Sequence, residues 1–413
     1  MPSPTDVPGP GEFPGGRPRV LAVVTFFPWP QNHGDALRRL MFLEALAATS
    51  DLTAVCIERP ETTAEDVAEL RNRLPGAEVV VMAPWQRDLT RRRSQAMRVV
   101  RGLATATPPW IYRQWSPDVA SVLETLTDER SFELAVLIGE PAGIYARHAH
   151  AARVVWDKSN VLTASDLDAL RTVSSLVGKA RALVGLPFSF SFERRVLRRV
   201  QGVVVTSEEE EQRLHRRFGP VPAVTIPSAM GPQERGRGID HESRTLLWLS
   251  TLSYTPNWDG LLRFLAASDD TFRRRGLTLR VVGAGATARQ VQTLARLPYV
   301  DYRGFVDDLA DACDGVAAGV VPVWAGAGVK LKTLTLMGLG VPVVATPVAL
   351  EGVPHEAAAR VARTPEEFAA ALDDLDPQLL AGAAARARTV LQERFSREIF
   401  FRSVADAVDR AAD

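Results

Sequence analysis

The chain has 413 residues, 46% of them hydrophobic, which is more than one comfortable core holds and far from a disordered composition, so two domains are expected. Its 49 basic residues balance its 49 acidic ones, which excludes a nucleic-acid or polyanion partner recruited by bulk charge and leaves any electropositive site local. Cys56 and Cys313, each in or beside an apolar run, give neither a disulfide framework nor a zinc spacing; they fit a reducing cytoplasm, and no metal or cofactor site is expected.

Residues 1–18 carry six prolines and no apolar core of a signal peptide, so they read as a disordered tail. From there, β-branched runs alternate with helical patterns, the signature of α/β units around parallel sheets. Strands are expected at "RVLAVVTF", "LTAVCI", "EVVVM", "ELAVLI", "RVVW" and "GVVVT", which gives an N-terminal domain over 19–218. A proline- and glycine-rich interruption at 219–243 reads as a linker. The pattern restarts with "TLLWLS", "LTLRVVG", "VDYRG", "GVAAGVVPV", "VPVVAT" and "ARVA" in a second domain over 244–376, and 377–413 reads as C-terminal helices. The fold class is therefore α/β, two doubly wound Rossmann-like domains facing a cleft. No stretch approaches the roughly 20 apolar residues of a spanning helix.

Open α/β sheets bind ligands outside the carboxyl ends of their strands, so the loops after strands carry the candidate chemistry. In "VVTFFPWPQNHGDALRRLMFLEALA" a strand and a proline-rich turn lead to Gly34 and a helix, where backbone amides and the helix dipole favour an anion; a helix start capped by Asn32 or Asp35 is the plain alternative. In "VVGAGATARQV", Gly283 and Gly285 sit between strand and helix, where steric need alone also selects glycine. The strongest stretch is "AGAGVKLKTLTLMGLGVPVVAT": Gly326 and Gly328 keep side chains off a ligand, and a helix expected from about Val329 presents free N–H groups. Lys330 and Lys332 lie in its first turn, where a cation opposes the helix dipole unless an anion is near. A bound phosphate is the functional reading and two solvated lysines the plain one. That stretch holds no carboxylate.

The run "RDLTRRRSQAMRVVRGL", with Arg87, Arg91, Arg92, Arg93, Arg98 and Arg101, reads as a loop or helix of the first domain, with a membrane-surface role not favoured. "LVGLPFSFSF" at 183–192 is expected to pack under a late helix of the first domain.

The second half resembles the donor domain of retaining glycosyltransferases of family 4, which have the GT-B fold. "LLWLSTLSYTPNWDGLLRFL", "LRVVGAGA", "VDYRGFVDDLADACDGVAAGVVPV" and "GAGVKLKTLTLMGLGVPVVATPVALEGV" follow that domain in order, and "FPWPQNHGDALR" and "FERRVLRRVQGVVVTSEEEEQRL" are similar to parts of the acceptor domain. The resemblance implies a C-terminal helix returning to the first domain and a donor site from Thr251, Gly283, Gly285, Val306 in the base-side loop, Gly326, Gly328, Lys330, Lys332 and Thr335. Gly34 would close it from the other domain. Departures accompany it. Two glutamates usual in the family are replaced by Ala327 and Thr335, a histidine by Gly139, an arginine by Thr251, and an asparagine-glycine turn by "PSAM".

The reading that follows is a cytoplasmic hexosyl- or pentosyltransferase moving a sugar from a diphosphate-activated donor to an acceptor hydroxyl with retention. Lys332 would stabilise the departing diphosphate, and Glu140 and Asp157, each just after a strand, would orient the acceptor; both are equally readable as caps or structural acceptors. The partners implied are a small-molecule donor and a hydroxyl acceptor, with no nucleic acid. A catalytically inactive binding or scaffolding subunit is the alternative; a sugar-nucleotide epimerase or phosphorylase would need a base or cofactor lysine that the sequence does not offer. A nucleotide sugar is the first choice of donor, with weaker nucleoside selectivity than the family usually shows. Phosphoribosyl diphosphate is the second, and its extra phosphate would be met by Lys158, Arg38 and Arg39.

Overall fold

The computed structural model describes residues 16–30, 34–83, 100, 102, 104–172, 176–230, 236–326 and 328–412. The proline-rich tail to residue 15, Asn32, the arginines of the basic run and Ala327 lie outside these residues.

Each run read as a strand forms one. β1 (Arg19–Val24), β2 (Asp51–Ile57), β3 (Glu78–Met82), β4 (Leu134–Ile138), β5 (Arg153–Asp157), β6 (Gly202–Val205) and β7 (Ala223–Thr225) make a sheet ordered β3-β2-β1-β4-β5-β6-β7. β8 (Thr245–Leu249), β9 (Thr278–Val282), β10 (Val300–Gly304), β11 (Val316–Val321), β12 (Val343–Ala345) and β13 (Arg360–Val361) make a second, ordered β10-β9-β8-β11-β12-β13. All neighbouring strands in both sheets are parallel. Parallel sheets carry helices on both faces, which is why the inner strands β1, β4 and β11 are buried almost throughout and read as unbroken apolar runs.

The chain divides into two compact units, the first built on residues up to Leu170, Leu176–Ser228 and the last helix, the second on Ala229–Ser396. The interruption is shorter than the sequence suggests, because Ala223–Thr225 pairs with β6 as the seventh strand of the first sheet. Three residues among prolines are too short a run to show a period. The C-terminal segment is two helices that part company: Pro377–Arg394 belongs to the second unit and Arg397–Ala412 to the first. The last helix sets Phe400 edge-on to Phe42 at 5.1 Å between centroids, and Arg397 bonds Glu44 at 2.5 Å.

Two charged pairs lie inside the first unit. Lys158, the residue after β5, is wholly buried, its ammonium bonded to Glu193 and 4.4 Å from the centre of the Trp156 ring. Glu193 also accepts from the amides of Leu162 at 2.8 Å and Thr163 at 2.9 Å, and from the Thr163 hydroxyl at 2.5 Å, so the pair ties three elements together. Arg38 donates to Asp157 at 2.6 Å and to the Ile226 carbonyl at 3.0 Å, with side-chain exposures of 3% and 1% for the ion pair. Neither Lys158 nor Arg38 is therefore a surface cation waiting for a ligand phosphate, as the sequence had suggested; each is spent on a buried carboxylate. Removing one partner of such a pair strands the other charge. Glu193→Ala should lower the unfolding free energy by about 3–5 kcal/mol in urea titration, and Glu193→Gln, which keeps an acceptor for the amides, by less. A loss under about 1 kcal/mol for the alanine variant would mean that Lys158 is not held as described.

Candidate functional site

In each sheet the strand order reverses once, between β1 and β4 in the first and between β8 and β11 in the second. Loops leaving the carboxyl ends of two such strands diverge to opposite sides, which opens a crevice at the switch point. The candidate residues gather at these two places, each within its own unit.

In the second unit, the loop after β8 is stitched to the loop after β9: the Ser250 amide donates to the Val282 carbonyl at 3.1 Å and the Leu252 amide to the Ala284 carbonyl at 2.9 Å. Gly283 makes this contact feasible, since a Cβ there would stand 1.7 Å from the Ser250 carbonyl oxygen and its φ is +155°. Gly283 and Gly285 thus pack against the Ser250–Ser253 loop, and the steric explanation accounts for both.

The loop after β11 carries Gly326 at φ +111° and Gly328 at φ +75° into the helix Leu331–Gly338, which starts two residues later than the sequence suggests. Lys330 is therefore the capping residue and Lys332 lies in the first turn. Lys332 reaches across the switch point, donating to the Ser250 hydroxyl at 3.1 Å and to the Asn257 side-chain oxygen. Asn257, buried at the start of the helix Thr255–Arg275, is oriented by its own amide donating to the Thr251 carbonyl at 2.9 Å. Both acceptors of the ammonium are neutral. Burial first, and the neighbouring Lys330 second, push the Lys332 ammonium down from 10.5 to about 7.

Lys330 turns the other way, donating to the Gly328 carbonyl at 2.5 Å and standing 3.5 Å from Glu351. The Glu351 carboxylate is 5% exposed and accepts from the Gly328 amide at 3.0 Å. The loop that has no carboxylate in its own sequence receives one from the turn after β12. That turn is anchored in its place, with the Ala349 amide donating to the Thr346 hydroxyl at 3.0 Å and the Thr333 hydroxyl to the Ala349 carbonyl at 2.7 Å.

In the first unit, Glu140 follows β4 and Gly139, which turns at φ +90°, a conformation that favours glycine, with the Arg39 guanidinium packed against it. Glu140 accepts from the Asn160 amide at 2.8 Å, and Arg39 stands 3.8 Å from Asp35. Burial, and then the Asp35 carboxylate, raise the Glu140 carboxyl above the ordinary range. Asp157 lies on the next strand, closed off by Arg38.

The structure thus brings Thr251, Lys330, Lys332, Gly326 and Gly328 to one switch point and Glu140 to the other. Thr251 contributes its backbone carbonyl. Val306 is half-buried and packs against the core beneath β11 and β12, and Thr335 is half-buried one turn beyond Lys332. Gly34 opens the helix Gly34–Thr49. Ser250, Asn257 and Glu351 escaped the sequence reading. A serine directly after a strand and an asparagine in a helix first turn are weak signals, but the carboxylate in "VALEGV" was visible as a single acid in an apolar stretch after a strand.

Two family models match the chain, one described as glycosyl transferases group 1 over residues 243–376 and one as glycosyl transferase 4-like domain over residues 60–229. No curated protein matches in a sequence search. Among solved structures, Anabaena Alr3699/HepE in complex with UDP-glucose is similar with a TM-score of 0.65 at 14% identity, over 95% of this chain and 100% of that one. TarM of S. aureus is similar at 0.65 and 8% identity over 96% and 99% of the two chains. The UDP-forming α,α-trehalose-phosphate synthase of Burkholderia xenovorans, in complex with glucose-6-phosphate, is similar at 0.59 and 13% identity, over 96% and 100%. At such identities the structural likeness is one of fold, and the family models supply the rest: this chain belongs to the GT-B-fold glycosyltransferases.

Proposed function

We propose that the protein transfers a sugar from a nucleotide diphosphate donor to an acceptor hydroxyl with retention, and that the second unit binds the donor diphosphate at the β8/β11 switch point. The observation that carries this reading is Lys332, a half-buried ammonium held between neutral oxygens at the mouth of a glycine loop and a helix N-terminus. An anion placed there gains the charge of Lys332 and the dipole of the helix, and it gains most as negative charge builds on the departing diphosphate. Glu351 holds the Gly328 amide and keeps Lys330 beside the loop, so its role is to position that loop. On the first unit, Glu140 is the carboxylate offered to an acceptor hydroxyl, while Asp157 serves by fixing Arg38.

A nucleotide donor is favoured over phosphoribosyl diphosphate because Lys158 and Arg38, two of the three cations that an extra phosphate would need, are committed to Glu193 and Asp157. The UDP and UDP-glucose complexes of the structurally similar HepE support the same choice. The family assignment favours an enzyme over a binding subunit.

Lys332→Ala should reduce kcat by about 10²–10³ while leaving thermal unfolding intact, since the side chain removed is a half-buried cation and not an apolar anchor. Wild-type turnover in that variant would remove Lys332 from the reaction.

Proton linkage gives a sharper test. Free Lys332 loses its proton near pH 7, and a bound diphosphate raises that value, so between the two the complex holds a proton that the free protein lacks. UDP binding should weaken as pH rises above about 7 and should take up a proton at about pH 8, read by calorimetry in buffers of different ionisation enthalpy. Lys332→Met should abolish the uptake. Binding without uptake in the wild type would overturn the assignment.

For the donor class, UDP should bind at least about tenfold more tightly than pyrophosphate or phosphoribosyl diphosphate, a difference of about 1.4 kcal/mol. Equal affinities would return the phosphoribosyl donor to first place.

A further inference from the structure

The helix Leu176–Leu197 of the first unit does not bury the segment that the sequence placed inside. Its far half does pack: Ser189, Phe192, Glu193 and Val196 are buried and Phe190 stacks on Phe218 at 5.4 Å. Its near half presents Leu176 at 83% exposure, Val177 at 79%, Leu183 at 62% and Val184 at 66%, with Ala180 and Pro187 also exposed. These six positions recur at three- and four-residue steps, which puts them on one helix face, and the buried Ala182 and Ser189 lie on the other. Lys179 borders the apolar stripe on one side and Arg181 on the other. Farther along the same face comes the exposed Arg194, with Arg195 beside it, and the exposed Arg198 and Arg199 stand in the turn just after the helix.

The charge on this face is of one sign. From Leu176 to Phe192 the helix has no acidic residue; Glu193 points inward and is spent on Lys158, and Asp166 accepts from the Ser189 hydroxyl at 2.7 Å on the packed side. Among the described residues, Arg194, Arg195, Arg198 and Arg199 enter no ion pair. Beside the arginine end is a cavity of about 160 Å³ whose walls include Arg147, Arg195, Arg199, Tyr112, Trp115 and Phe192, with no carboxylate among its lining residues. Arg195 is held in its wall by donating to the Thr105 carbonyl at 2.6 Å and the Thr107 hydroxyl at 2.7 Å.

We infer that this helix face is a docking surface for an anionic lipid membrane, with the Leu176–Pro187 stripe seated among acyl chains and the arginine end against headgroup phosphates. A helix with an apolar stripe bordered by Lys and Arg lies in the interface plane, its cationic stems reaching up to the headgroups. No helix among the described residues is long and apolar enough to cross a membrane, so the attachment is to one surface. A second copy of this chain is the poorer occupant. Pairing the face with itself would bury the stripe but leave the arginine end facing no acid, since the face offers none.

The full-length protein is sedimented with vesicles of phosphatidylcholine alone and of phosphatidylcholine with phosphatidylglycerol. Binding is expected to the anionic vesicles, and it should fall at least about tenfold in 0.5 M salt, where charge interactions reach only a few ångströms. Leu183→Asp/Val184→Asp should abolish it, and Arg194→Glu/Arg198→Glu should weaken it at least about tenfold. Both double variants alter exposed side chains, so unchanged thermal unfolding and unchanged UDP binding show that the fold and the donor site persist. The proposal is overturned if the wild type ignores anionic vesicles or if both variants bind them as well as the wild type. It is also overturned if the wild type forms a concentration-dependent dimer that Leu183→Asp/Val184→Asp dissolves without any vesicle binding.

Discussion

The second unit is arranged around one half-buried ammonium held by neutral oxygens. Lys332 leaves the first turn of a helix, where its charge opposes the dipole, and enters a pocket that offers a hydroxyl and an amide oxygen but no carboxylate. Everything that holds it there comes from elements meeting at the sheet's switch point: β8 delivers Ser250, the following helix delivers Asn257, and the Thr251 carbonyl fixes which end of the Asn257 amide faces the lysine. The glycine at 283 lets the β8 and β9 loops close on each other, which keeps Ser250 in place. An ordinary salt bridge would have discharged the lysine and removed any reason to bind an anion. Leaving it among neutral partners keeps a binding free energy in store for one.

The two lysines of the loop divide the work. Lys330 has a carboxylate neighbour in Glu351 and two backbone carbonyls, so its charge is matched locally and its effect is on loop shape. Lys332 has none of these. The first unit shows the same division between Arg38, closed on Asp157, and Arg39, which lies against the Gly139 turn 3.8 Å from the exposed Asp35. In each unit one cation meets a buried carboxylate, Lys330 at Glu351 and Arg38 at Asp157, while Lys332 meets neutral oxygens and Arg39 the exposed Asp35.

The architecture was legible because parallel strands buried on both faces must be apolar almost throughout, and the runs through β1, β4, β8 and β11 declare themselves without any partner information. β7 was not, since Ala223–Thr225 is defined by its pairing with β6 and hardly by its own residues. In the site, glycines and lysines could be read because backbone conformation and helix dipole act locally. The fates of Asp157, Lys158 and Arg38 could not, because a charged residue after a strand looks the same whether its partner is a ligand or a carboxylate far along the chain. Arg38 and Asp157 are 119 residues apart, and nothing local to either announces the other. Glu351 lies on the next loop, 23 residues from Gly328, and nothing local to it announces the amide it holds.

The usual glutamates of the family sit on the glycine loop and its helix; here the helix position is Thr335 and the nearest buried carboxylate is Glu351, carried by the turn after β12. Moving the acid changes what it can do. A glutamate on the loop or helix moves with them, whereas Glu351 stands on a separate anchored turn and grips the loop from outside through the Gly328 amide. Its carboxylate then serves as a reference point for loop shape; on the proposed reading, recognition of a nucleoside would fall to the helix face around Thr335 and to the Val306 loop. A threonine presents one hydroxyl where a carboxylate presents two acceptor oxygens, so a ribose would be met there by a single direct hydrogen bond. On that reading every candidate donor brings the same diphosphate to Lys332, so what separates one donor from another is what the rest of the ligand gains around Thr335 and the Val306 loop.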